Sequence, residues 1–226
     1  MKTGSFLKSA LFAGITSVAL SVTPAAQAGT LVINSISGQG VTINYNGVGA
    51  NTTAGTFSGT FDGDPLIWWC VDLTKHVGAS GTYTGYTKDP FQTSPLTFSA
   101  GRISDLDRLF NNYVSSLVTA QDNAAFQLAI WDVLFDNDAN LSTYGGAGKF
   151  GVSAAPSGTI LLAQTFVNNA GGSTVFSLDQ LTSRSNQDFI TPGTPNIVPE
   201  PSGLALLGVG LMAMVAGMRR RKNGVQ

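Results

Sequence analysis

The sequence predicts an α+β domain that is mainly β: an antiparallel sheet or barrel-like body with a small helical subdomain, set between an N-terminal signal peptide and a single C-terminal transmembrane helix. Three observations carry this. Runs of β-branched and aromatic residues alternate with Gly-rich turns over the first third of the chain. A central stretch then changes to apolar residues spaced three and four apart. Only 11% of the 226 residues are charged and 27 are Gly, while Ser, Thr and Asn fill the polar positions of a turn-rich exported domain.

Residues 1–28 read as the signal peptide. Lys2 and Lys8 form its positive start, Ala10 to Val22 its apolar run, and Pro24 its break. Ala26-Gln27-Ala28 gives the small-x-small pattern, so signal peptidase is expected to cut after Ala28. The run is too short for a membrane anchor, and no Cys near the cut offers a site for a lipid.

The segment 29–190 is the expected extracellular domain. Thr30 to Ile33 and Val41 to Ile43, punctuated by Gly38 and Gly40, read as a hairpin over 29–45. Thr53 to Phe61 and Leu66 to Leu73 read as strands around an Asp62-Gly63-Asp64-Pro65 turn. Gly81 to Lys88 is a further strand. Ser104 followed by Asp105 and Asp107 reads as a helix start, with Leu106, Leu109, Phe110, Tyr113 and Leu117 on one face. A second helix is expected from near Asp122, and a third from Thr159 to Asn169, ending at Gly171-Gly172. Val175 to Leu178 returns to the sheet, and the Pro-rich stretch 191–197 is a linker. No internal repeat is visible.

Three parts then follow in order: Val198-Pro199-Glu200-Pro201-Ser202, the uncharged run Gly203 to Met218, and Arg219-Arg220-Arg221-Lys222. Sixteen helical residues span ~24 Å, a short membrane crossing that snorkelling arginines extend. The basic cluster keeps the C-terminus cytoplasmic and leaves the domain outside. The arrangement over 198–222 resembles the PEP-CTERM sorting signal. That resemblance implies an exosortase as partner, transient anchoring in the inner membrane, and delivery to the cell surface or an exopolysaccharide-rich biofilm matrix.

Between Gly29 and Val198 there are twelve Asp and no Glu against three Lys and three Arg, six negative charges in excess. Such a surface repels phosphate backbones and anionic lipid, so no nucleic-acid partner is expected.

One constellation carries chemistry. Cys70, the only Cys of an exported chain, has no disulfide partner within it and sits in Trp68-Trp69-Cys70-Val71-Asp72-Leu73. Later comes Phe126-Gln127-Leu128-Ala129-Ile130-Trp131, where a carboxamide in an apolar helix demands a partner. The pair resembles the thioester domains of bacterial surface adhesins, whose signature is an aromatic or Leu before Cys and a later apolar-Gln-x-x-apolar-Trp motif. Trp69 stands where that family has Tyr, Phe or Leu. The resemblance implies that Cys70 attacks Gln127, expels ammonia and forms an internal thioester shielded by Trp68, Trp69, Phe126 and Trp131. Amine or hydroxyl nucleophiles of an exopolysaccharide or surface protein then displace the sulfur, in a single turnover that is not an enzymatic cycle.

Other readings stand beside it. A buried lone Cys is commonly just a small hydrophobe, and the chain then reads as a non-reactive structural or carbohydrate-binding matrix protein with the same address. His76, the sole histidine, admits a Cys–His hydrolase. The chain has too few Cys and His for zinc, and no cofactor is expected. Asp136 to Asn140 starts like a calcium loop, but Leu141 and Ala147 occupy the positions that need Gly and Glu.

Overall fold

Leu31, Ile33, Val41 and Ile43 fall at alternate positions of the sequence, and all four are buried. In the computed structural model, which describes residues 28–91, 98–136, 140–141, 149–172 and 177–193, they lie on one long strand, β1 (Gly29–Tyr45). The expected hairpin is therefore a single strand. Gly38 serves close approach instead of a turn: it pairs with Gly55, and a Cβ on it would sit 2.0 Å from the Ala54 carbonyl oxygen. The chain reverses at Asn46-Gly47, whose φ angles of 50° and 84° suit the twist of a two-residue hairpin turn. Asp62-Gly63, at 50° and 93°, repeats that turn between β2 (Val48–Phe61) and β3 (Asp64–Cys70).

The remaining strands are β4 (Gly81–Pro90), β5 (Phe150–Ala154), β6 (Leu178–Thr182) and β7 (Phe189–Pro192). All pairings are antiparallel, and the order β1–β2–β3–β7–β6–β4 returns to β1, so six strands close into a ring. Closure removes the open edges that a flat sheet would expose. The length of β1 permits it. Leu31 to Ile33 pairs with β2 on one side and β4 on the other; past an irregularity after Ile33, residues 42–45 pair with β2 and β5.

The helices cover one side. Helix α1 (Ala100–Tyr113) starts four residues before the expected Ser104, because Ser99 caps it by accepting from the Arg102 amide. Ser104 lies inside the helix and accepts from Arg108. Leu106, Leu109 and Phe110 face the core, while Leu117 lies beyond a 3₁₀ turn, Val114–Ser116. Helix α2 (Ala120–Phe135) opens on a capping box in which Thr119 and Asp122 satisfy each other's amides. It is buried from Asn123 to Leu134, with β1 and β2 beside it and α1 and α3 (Thr159–Asn168) packed on it. A helix apolar on all sides belongs at the centre, and α2 is there.

The expected return strand begins at Leu178, Val175 and Phe176 lying outside the described residues. Strand β7 takes up the first two residues of the expected linker, since Thr191 is fully buried and its hydroxyl donates to the Ile67 carbonyl at 2.7 Å. The buried core runs from Leu31 to Ile190. Ala26, the sorting residues Val198 to Ser202 and the basic Arg219 to Lys222 lie outside the described residues, as do residues 137–139 and most of the Gly-rich 145–151 stretch. Among the described residues no helix is long and apolar enough to cross a membrane, and no group of His, Cys, Asp and Glu could hold a metal ion.

Candidate functional site

Cys70 is the last residue of β3, and its neighbour in the ring is Phe189 of β7. Its main chain finds its other partner in a side chain. The Cys70 amide donates to Gln127 Oε1 at 2.9 Å, and Gln127 Nε2 donates back to the Cys70 carbonyl at 2.9 Å. Trp131 Nε1 donates to the same carbonyl at 3.1 Å. Residues four apart on a helix share a face, so the Gln-x-x-apolar-Trp spacing aims both groups at one peptide. The carboxamide thus imitates a neighbouring strand at the point where β3 ends.

The sulfur meets a different amide. Gln187 Nε2 lies 2.7 Å from Cys70 Sγ and also donates to the Asp72 carbonyl at 3.0 Å, while the thiol donates to that carbonyl at 3.1 Å. Gln187 is buried just ahead of β7, and the Tyr86 hydroxyl donates to its carbonyl at 2.8 Å. The expected Cys70–Gln127 pair does come together, but through the Cys70 backbone, with both ends of the Gln127 carboxamide occupied there. Sequence reading missed Gln187: it sits in the polar stretch Ser183 to Asp188, which carries only a turn signal, and only the closing of β3 onto β7 brings it to the thiol.

A cavity of about 120 Å³ lies against Cys70. Ile36, Phe57 and Val77 supply apolar wall, and Cys70, Gln187 and His76 line it too. Of the four expected shielding residues, Trp131 lines this cavity. Trp68 packs against Phe57 and Phe189, whereas Trp69 and Phe126 meet each other and Phe110 towards the helices. Alternation along β3 separates them, because adjacent side chains point to opposite faces. Trp68 and Phe126 are fully buried and Trp69 nearly so, so they exclude water from the region without lining the cavity.

Burial pushes the Cys70 thiol well above its ordinary range; the hydrogen bonds to Asp72 and from Trp131 pull the other way, and the nearby Asp72 and Asp188 charges add to the rise. The resting group is therefore a neutral thiol. Burial also raises the Asp188 carboxyl, against the Ser183 amide and Lys75. Lys75 Nζ stands 3.5 Å from both Asp72 and Asp188 and donates to the Ser183 carbonyl at 2.9 Å. This bridge ties the segment after β3 to the one before β7, the two segments that carry the sulfur and its amide.

Residues 198–222 match the sequence family described as the PEP-CTERM protein-sorting motif. The match marks the chain as an exported protein that passes through the membrane and is sorted to the surface by an exosortase. No curated protein and no solved structure matches the chain.

Proposed function

We propose that this surface or matrix protein attaches covalently through an internal thioester between Cys70 and Gln187. The observation that carries the reading is the buried Gln187 carboxamide, 2.7 Å from a sulfur whose own peptide is fixed by Gln127 and Trp131. In the forming step Sγ bonds to Gln187 Cδ, the Cδ–Nε2 bond breaks, and ammonia leaves with the thiol proton. Amides resist thiols, so proximity and exclusion of water must supply the rate. In the capture step an amine or hydroxyl bonds to Cδ, the Cδ–Sγ bond breaks, and the nucleophile's proton ends on the sulfur. The roles that follow are adhesion to a surface protein or anchoring in exopolysaccharide and biofilm matrix, after signal peptidase has cut and while or after the apolar C-terminal segment is held in the inner membrane.

The test is the intact mass of the purified full-length chain. The reading predicts a deficit of one ammonia, absent from Cys70→Ala and Gln187→Ala, and a methylamine adduct after incubation. A full mass in the wild-type chain contradicts it.

The second reading, a non-reactive carbohydrate-binding matrix protein, draws support from the raised thiol and from a surface cleft of about 730 Å³. Thr84, Thr87, Ser183 and Ser185 line that cleft with Lys75 and Arg184, a set of donors suited to sugar hydroxyls. Glycan retention by a chain of full mass, lost in Arg184→Ala, favours this reading over the first.

A further inference from the structure

We propose that His76 is the base of the capture step, receiving the proton of the nucleophile that enters the Cys70 cavity and returning it to the departing sulfur. The proposal rests on the thioester reading above. Its first support is position: the sole histidine of the chain lines the same cavity as Cys70 and Gln187. Sequence spacing alone would have set it on the strand face of Cys70, but β3 ends at Cys70 and His76 lies in the loop beyond. The loop returns it to the cavity that Cys70 lines.

A surface histidine is ordinarily free to turn away, and here its flanks are fixed. Asp72 Oδ1 accepts from the Thr74 amide at 2.8 Å and the Thr74 hydroxyl at 2.6 Å. Lys75 is tied to Ser183, Asp72 and Asp188. On the other side the Gly78 amide donates to the Tyr83 hydroxyl at 2.8 Å. The residues immediately before and shortly after His76 are thus anchored to the barrel, while His76 itself is exposed. This is the placement of a group that must face both solvent and the cavity.

The chemistry requires such a group. When an amine attacks Gln187 Cδ, the nitrogen gains positive charge and must lose a proton before the carbon–sulfur bond can break usefully. Sulfur leaves badly as a thiolate in a site where burial disfavours the charge. One imidazole meets both needs: it accepts the amine proton and hands it to Sγ, so the products are an amide on Gln187 and a neutral Cys70 thiol. The other cavity residues named above are apolar, an amide, an indole and the leaving sulfur itself; Thr52 and Thr53 add only hydroxyls. Apart from that sulfur, which takes the proton last, none of them accepts a proton near neutral pH.

The experiment compares the full-length wild-type chain with His76→Ala and His76→Gln, by intact mass before and during incubation with methylamine. The expected result is an ammonia deficit in all three chains, with capture about 100-fold slower in both variants and partly restored to His76→Ala by added imidazole. The retained deficit also reports that the variants fold, and His76→Gln preserves the bulk of the side chain. A deficit with undiminished capture in both variants overturns the role of His76 alone. Loss of the deficit in the variants assigns His76 to the forming step and overturns the proposal as well. Absence of the deficit from the wild-type chain overturns the thioester reading and this one with it.

Discussion

At Gln127 one side chain satisfies both polar groups of the Cys70 peptide inside the core. Gln127→Ala strands the buried Cys70 amide and leaves the Cys70 carbonyl to Trp131 alone, and should lower unfolding free energy by ~1–3 kcal/mol, read as a shift of the urea midpoint. Gln187→Ala removes the amide at the sulfur and leaves the Cys70 peptide intact, so it should cost far less stability while abolishing methylamine capture. If Gln127→Ala proved neutral, the clamp would lose its meaning. Asp107 offers a test of pH. Burial raises its carboxyl from 3.8 to about 6, with Arg108 opposing. The folded chain then binds more protons than the unfolded one in that window, so this group's stability is greatest below about 4 and is lost as pH rises to about 6. Asp107→Asn should flatten that loss and raise stability at pH 7 by ~1 kcal/mol after allowance for partial exposure, measured by urea titration at pH 4.5 and 7. An unchanged pH slope would refute it.

Element by element, legibility followed the range of the signal. The Asp62-Gly63 turn and the start of α2 were readable because a left-handed pair and a capping box are local patterns. Residues 29–45 were misread because Gly38 looks like punctuation, while its purpose, approach to Gly55, depends on a strand not yet placed. Gly38→Ala should therefore destabilise the β1–β2 ladder by ~1–3 kcal/mol, since the added carbon meets backbone and not a yielding side chain. A midpoint within error of wild type would mean that the ladder shifts freely. The short strands β5, β6 and β7 went unread or were only partly read for a related reason. They are four or five residues long and owe their form to β1, β3 and β4 beside them. The two halves of the candidate site fared unequally on the same grounds. Gln127 and Trp131 share a helix face and show as a motif, whereas Gln187 reaches the sulfur only through ring closure.

For the molecule as a whole, the address and the fold are separable. The core lies between Leu31 and Ile190, and the matched sorting motif begins at residue 198. Deleting residues 198–222 should leave the unfolding midpoint of the domain unchanged and abolish sorting to the surface in an exosortase-bearing host; a shifted midpoint would show that the tail contributes to the fold. The closed ring also gives the chemistry its setting. It brings β3 against β7, and with them a thiol, a carboxamide and a small cavity. The most direct measurement is peptide mapping of the wild-type chain after methylamine treatment. The account predicts a methylamide on Gln187 and a free Cys70 thiol in the same molecules. A methylamide on Gln127, or no incorporation at all into a chain of full mass, would contradict it.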